Sequence, residues 1–365
     1  MRIISIEKTL NAFSNFDTDV TVIGCAPYGN GHINDTFLVT GDTKRFILQS
    51  INSNVFKKPE EVMHNIALVT SFLKTQTDDE RRVLNLVKTK DGNAFYKDAD
   101  GRYWRLYDFV ESSLSLDLPE TTEDFYQSAI AFGEFQKLLN DFPVEKLYET
   151  IPDFHNTPDR YRKFLEAVEK DVCGRAASVA EEIKFVKDRA DFYSVLFDNN
   201  KEGKLPLRVT HNDTKINNVL FDGETGEAKT VIDLDTVMPG LVAHDFGDAI
   251  RYAANTAAED EKDLSLVHLD MDRFRAFTEG FLSEVKSALT PLEIRTLALG
   301  AFTMTAELAV RFLDDYIQGS PYFKVNYPEH NLVRTRCQIA LARDMQKNLP
   351  IMEQMVRECV VAAHG

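Results

Sequence analysis

His211-Asn212-Asp213-Thr214-Lys215-Ile216-Asn217-Asn218 runs into Val219-Leu220-Phe221, then a Gly-containing turn at 222–227, then Lys229-Thr230-Val231-Ile232-Asp233. The spacing H-x-D-x-x-x-x-N, followed by an acidic residue on the next strand, is what phosphoryl transfer requires. Such a reaction needs a carboxylate to accept the proton of the attacking hydroxyl. It also needs oxygen ligands for the Mg²⁺ that neutralises charge between the β- and γ-phosphates. Asp213 suits the first task, and Asn218 with Asp233 the second.

Asp245-Phe246-Gly247 spells the metal-binding triplet of protein kinases, but it lies well beyond Asn218, whereas Asp233 ends the second arm of a strand-turn-strand segment. That hairpin is expected to return Asp233 to the catalytic loop. Asp245 opens a helix-like stretch, 245–254, and is expected to brace the loop by accepting backbone N–H bonds. His211, at the head of the loop, is placed with it as structural support.

With 365 residues, two lobes with a cleft between them are expected. The sequence predicts an α+β, bilobal, protein-kinase-like fold: residues 1–110 as a small antiparallel-sheet nucleotide-binding lobe with one main helix, and 111–365 as a larger, mainly helical catalytic and substrate-binding lobe. In the first, 20–23, 37–40 and 46–49 read as strands, 60–73 as a helix after Pro59, and 93–96 and 103–110 as a pair. In the second, 125–139, 161–172, 177–197, 271–289, 294–317 and 331–345 read as helices. The composition change at 108–115 marks a hinge, where Asp108 and Val110 are assigned to the nucleotide.

The four cysteines, Cys25, Cys173, Cys337 and Cys359, show neither CxxC pairing nor zinc spacing, so buried reduced thiols and a cytoplasmic location are expected. The start lacks a long apolar segment followed by a small-residue cleavage site, and no apolar run is expected to approach the ~20 residues of a membrane span. The formal net charge of −16 argues against nucleic acid or an anionic membrane as a partner. ATP needs only local cations and Mg²⁺, and Lys215 is a candidate γ-phosphate contact. Gly29 and Gly31 sit in a turn between the first two strands, where missing side chains let backbone N–H groups approach phosphates. His32 follows at once and is a candidate for hydrogen bonding a polar substrate.

The catalytic loop, the hairpin to Asp233 and Asp245 together resemble the aminoglycoside phosphotransferase and choline kinase superfamily over essentially the whole chain. Pro-Tyr-Gly-x-Gly-His-Ile-Asn at 27–34, Leu-Arg-Val-Thr-His-Asn-Asp-Thr-Lys at 207–215 and Ile-Asp-Leu-Asp-Thr-x-Met-Pro-Gly at 232–240 narrow the resemblance. So do Arg311-Phe312-Leu313-x-Asp315-Tyr316 and Tyr327-Pro328-Glu329-His330-Asn331. These look like the N-acetylhexosamine 1-kinase branch, which phosphorylates the anomeric hydroxyl of N-acetylglucosamine or N-acetylgalactosamine. The resemblance implies ATP and Mg²⁺ as cofactors and a small-molecule sugar as acceptor. It puts Asp213 in the catalytic acid/base position and implies that His32, Asp213, Arg311 and Tyr322 contact the sugar.

One position departs from kinases at large. The strand site of their phosphate-binding lysine reads Phe46-Ile47-Leu48-Gln49, so a neutral amide stands where a cation is expected. Two readings compete with the sugar kinase: the same chemistry on choline, homoserine or an aminoglycoside, and a nucleotide-binding pseudokinase. Cationic acceptors call for carboxylates or aromatic rings, so Arg311 near the acceptor counts against them. Intact Asp213, Asn218 and Asp233 count against a mere binder.

Overall fold

The computed structural model describes residues 4–29, 33–79 and 82–362. Gly31 and His32 lie outside the described residues. The chain opens with α1 (Ile6–Phe13), β1 (Val22–Pro27), β2 (Asp35–Gly41), β3 (Arg45–Ile51) and α2 (Pro59–Gln76), then β4 (Leu86–Val87), β5 (Tyr96–Lys97), β6 (Tyr103–Asp108) and β7 (Ser113–Leu114). Next come α3 (Thr122–Leu138), α4 (Thr157–Lys170), α5 (Ala180–Lys187), α6 (Ala190–Lys201), β8 (Arg208–Thr210), β9 (Val219–Asp222), β10 (Ala228–Val231) and β11 (Met238–Gly240). Four helices finish it: α7 (Val242–Ala253), α8 (Met271–Val285), α9 (Pro291–Ile317) and α10 (His330–Ala362). Two compact units result, one of Met1–Leu114, Asp141–Pro152 and Leu220–Pro239, the other of Ser115–Asn140, Asp153–Val219 and Gly240–Gly365.

The first unit is built on an antiparallel sheet in the order β1-β2-β3-β6-β4, with β5 also on β6. Period-two alternation sorts its faces. Phe37, Val39, Phe46, Leu48, Trp104 and Leu106 are buried in one cluster with Phe13 of α1, whose ring meets Phe46 at 5.5 Å. The intervening positions put Thr36, Gln49 and Arg105 side by side across β2, β3 and β6. The sequence suggests one main helix in this part, but the described residues hold two. Helix α1 is eight residues long, started by the Ser5 hydroxyl accepting from the Lys8 amide at 3.3 Å, too short for apolar periodicity to reveal. Helix α2 starts with Pro59 and acidic Glu60 and Glu61 and buries Val62, Met63, Ile66, Val69 and Leu73. The 219–231 segment forms a hairpin of β9 and β10, with β7 on the other edge of β9.

Helices dominate the second unit. α7 and α9 touch at Gly247 and Gly300: a Cβ on Gly247 would meet the Gly300 carbonyl oxygen at 2.4 Å, and one on Gly300 the Ala243 carbonyl oxygen at 2.2 Å. Glycine is required there for backbone to meet backbone, which fixes the helix carrying Asp245 and Asp248. By length and composition α9 could cross a membrane, yet 83% of its most apolar window is buried inside the protein. The stretch 177–197, read as one helix, is broken at Asp188–Arg189. The Arg189 guanidinium takes the Phe185 carbonyl at 3.0 Å, the acceptor a continuous helix would give to the residue-189 amide, which bonds Val186 instead. Helix α10 outruns the expected 331–345, passing through Pro350. Met352, Val356 and Cys359 extend its buried stripe at helical spacing, and that burial outweighs the bond lost at proline. Cys337 and Cys359 are buried, but Cys25 is only partly so and Cys173 is exposed, which corrects the expectation of four buried thiols.

Candidate active site

Strand β8 delivers the chain to His211, whose ring is wholly buried against Phe132 and Phe135 at 5.6 and 6.1 Å. Asn212 then adopts a left-handed conformation, φ 62°, which Asn tolerates better than most residues and which turns the chain sharply before Asp213. Asp245, buried at the start of α7, holds this turn. Its carboxylate accepts the His211 and Asn212 amides, both at 2.8 Å, and the Gln136 side chain at 2.6 Å. Burial raises its pKa and the backbone bonds oppose that rise. The Thr214 amide donates to Asp248 at 3.2 Å, and Asp248 pairs with Arg251, itself paired with Glu259.

Asp213 stands at the exit of this clamp. Lys215 Nζ lies 2.8 Å from Oδ1, while the Asn218 amide nitrogen donates to Oδ2 at 3.1 Å and to the Asp213 backbone carbonyl at 2.8 Å. With its nitrogen so engaged, Asn218 keeps its amide oxygen as a donor atom for a cation. Burial works against the Lys215 charge, but Asp213 and Asp248 overcome it and raise its pKa.

Elsewhere in the same unit Arg311 and Tyr322 come together through Phe323. The Arg311 guanidinium lies 5.8 Å from the Phe154 ring and 5.4 Å from Phe323, whose ring meets Tyr322 at 4.9 Å. Asp315 shapes this turn by accepting the Tyr322 and Phe323 amides at 2.8 and 3.0 Å. Among the described residues Arg311 has no acceptor within hydrogen-bond distance, and burial followed by Arg160 lowers its pKa. Nearby Glu307 is sealed by His155 at 3.0 Å, Arg160 at 3.4 Å and Thr157. Burial opposes its charge, but His155 and Arg160 bring its pKa down to about 2.

In the first unit Asp233 follows β10, exposed and left-handed with φ 58°, and starts a tight turn, Leu234–Thr236. Asp235, two residues on, faces inward and binds the buried Arg105 and Asn34. Gln49 accepts from Arg105 at 2.9 Å and donates to Thr36 at 3.0 Å. Asp108 ends β6 paired with Lys44 at 2.7 Å and bonded by Asn85, and the Val110 carbonyl accepts the Ser113 hydroxyl at 2.6 Å. Gly29 turns with φ 77°, and a Cβ there would meet nothing within 4 Å.

Sequence reading assigned no part to Arg105, Asn34 or the Glu307 cluster. The second aspartate of Ile232-Asp233-Leu234-Asp235 was visible, but which carboxylate faces inward depends on the left-handed step at Asp233, which leaves no mark in composition.

Residues 24–277 match the model of APH, the phosphotransferase enzyme family. Among solved structures the chain is similar to a microcompartment-associated aminopropanol kinase, with 17% identity, 94% of this chain and 98% of that one covered, and a TM-score of 0.65. It is also similar to an aminoglycoside phosphotransferase from Alicyclobacillus acidocaldarius, at 12% identity, 98% of both chains and a TM-score of 0.63. A spectinomycin phosphotransferase solved with ADP and spectinomycin aligns at 12% identity over 100% of this chain and 99% of that one, TM-score 0.57. These likenesses show the kinase-like α+β fold, an antiparallel sheet in the N-terminal part and helices in the C-terminal part. With more than half its length in the family match, the chain belongs to the phosphotransferase enzyme family.

Proposed function

We propose that the protein uses ATP and Mg²⁺ to phosphorylate the anomeric C1 hydroxyl of an N-acetylhexosamine, N-acetylglucosamine or N-acetylgalactosamine, giving the hexosamine 1-phosphate and ADP. In this reading residues 1–110 serve the nucleotide and 111–365 the acceptor and the chemistry. Asp213 accepts the C1 hydroxyl proton as that oxygen bonds the γ-phosphorus and the bond from phosphorus to the bridging oxygen of ADP breaks. Lys215, already on the other face of the carboxylate, moves to the γ-phosphate. Mg²⁺ supplies charge neutralisation between the β- and γ-phosphates; the Asn218 amide oxygen and the Asp233 carboxylate are hard oxygen donors of the kind it takes. Gly29, Gly31, Gln49, Asp108 and Val110 attend the nucleotide, and His32, Arg311 and Tyr322 the sugar, while His211 and Asp245 support the loop.

The observation that carries the phosphotransfer reading is the setting of Asp213, its carboxylate aimed by Asn218 and Lys215 on a loop clamped by Asp245. For the acceptor the supporting fact is Arg311, a cation between two aromatic rings with no hydrogen-bond acceptor among the described residues. That setting suits hydroxyls and an acetamido oxygen and repels the ammonium groups of choline or aminoglycosides. An acceptor screen following ADP release, with N-acetylhexosamines, plain hexoses, choline and aminoglycosides side by side, tests the reading. The 1-phosphate as the main product is the expected result. Phosphate at C6, or choline preferred over every sugar, refutes the acceptor assignment.

A further inference from the structure

A kinase strand lysine normally supplies the cation facing the nucleotide phosphates, and β3 offers Gln49 in its place. The amide is not loose. Its oxygen accepts the Arg105 Nε–H at 2.9 Å, and its nitrogen donates to the Thr36 hydroxyl at 3.0 Å. The three residues are register partners across β2, β3 and β6. Another prong of the guanidinium, Nη1, bonds Asp235, whose second oxygen accepts the Asn34 amide at 2.6 Å. The Asn34 oxygen in turn takes the Asn52 backbone amide at 3.0 Å. Arg105 and Asp235 have side chains 1% and 5% exposed.

A guanidinium only donates, so the Gln49 oxygen has to face Arg105 and the NH₂ has to face away. Thr36 uses one of its two N–H groups, and the other has no partner among the described residues. Asp235 and Arg105 neutralise each other inside the sheet unit, and Asp233, two residues earlier, is exposed. Only a forked cation reaches both the amide and the turn.

We infer that Arg105 is the positioning residue of the nucleotide half: its fork presets Gln49 with a free N–H as a phosphate donor and clamps the 233–236 turn to the sheet through Asp235, so that Asp233 is held for Mg²⁺. The inference rests on the phosphotransfer reading of Gln49 and Asp233. Arg105 does not touch the nucleotide; it does the strand lysine's positioning work from the neighbouring strand. A lysine placed at 49 would therefore set an ammonium against the guanidinium.

The test is MgADP binding by titration calorimetry, which needs no acceptor, on the full chain, with unfolding followed through Trp104, the sole tryptophan, buried on β6. Gln49→Lys and Arg105→Gln should each weaken MgADP binding about tenfold and lower the melting temperature. Combined, they leave one unforked cation on the register pair, so affinity should fall no further than in the worse single variant, a coupling independent sites do not show. Arg105→Lys keeps the charge without the fork, so it should melt close to wild type yet bind MgADP about fivefold more weakly. Should Arg105→Gln fail to fold, this variant decides. Wild-type affinity in folded Arg105→Lys, or losses that simply add in the double variant, overturns the inference alone. A wild-type chain that binds no MgADP overturns the phosphotransfer reading and this inference with it.

Discussion

Replacing Asp245 by Ala separates a brace from a metal ligand. The substitution removes the acceptor of three buried donors, the amides of His211 and Asn212 and the Gln136 side chain. Each buried donor left unsatisfied costs about 1–3 kcal/mol. Part of that is returned, because the folded protein no longer holds a carboxylate whose pKa burial has raised. A net loss of about 3 kcal/mol remains, and for a unit of roughly two hundred residues, at about 2–4 °C per kcal/mol, the melting temperature falls by about 6–12 °C. Circular dichroism melts give the shift, and initial rates against Mg²⁺ concentration on the folded protein give the second readout. Asp245→Ala should lower kcat by loosening the loop while leaving the Mg²⁺ requirement close to wild type. Asp233→Ala should do the reverse, with little thermal change and turnover that Mg²⁺ fails to restore. An Asp245→Ala protein that melts like wild type and demands far more Mg²⁺ refutes the division of labour between the two carboxylates.

Asp213→Asn keeps the shape and loses the proton acceptor, so kcat should fall on the order of 10²–10⁴ with KM little changed, in steady-state assays of ADP release. Burial and then neighbouring His155 lower the His244 pKa to about 3, below the ~6.5 of an unfolded histidine. The unfolded chain therefore binds a proton that the folded one refuses. Stability present above pH ~6.5 is lost as pH falls toward about 3, at about 1.4 kcal/mol per unit. His244→Asn should flatten the denaturation profile between about pH 6 and 5 by roughly one proton, and an unchanged slope would remove His244 from the acid response. Removing the acetamido group from the sugar should lower kcat/KM by roughly 10- to 100-fold, and Arg311→Ala should shrink that discrimination. Equal losses on both sugars would leave Arg311 a general determinant of activity.

Much of the fold was legible because its signals are periodic or punctuated. The 219–231 hairpin appears as two apolar arms around a Gly-containing turn, and α2 begins where Pro59 and two glutamates say it should. The departures come from interactions no local window contains. Helix α5 stops because one arginine takes the carbonyl its own amide needed. Helix α10 outlasts Pro350 because a buried stripe resumes beyond it. The loop spacing drew attention to Asp213 and Asn218, since that chemistry is local in sequence. Arg105 gave no such signal: a lone arginine in Tyr103–Asp108 gains meaning only through register with Gln49 and contact with Asp235, 130 residues away.

The tetrapeptide Ile232-Asp233-Leu234-Asp235 shows how alternation misleads at such a place. In an extended strand, residues 233 and 235 would point to the same side. Here Asp233 is exposed and Asp235 buried, because the left-handed step at 233 ends the strand and rolls the next residues into a tight turn. One carboxylate is buried against Arg105 inside the sheet unit and the other is exposed at the surface. A buried carboxylate needs a paired cation, and Arg105 supplies it to Asp235. Two residues of one type thus meet opposite surroundings, and it is one backbone dihedral, tolerated by aspartate at φ 58°, that tells them apart.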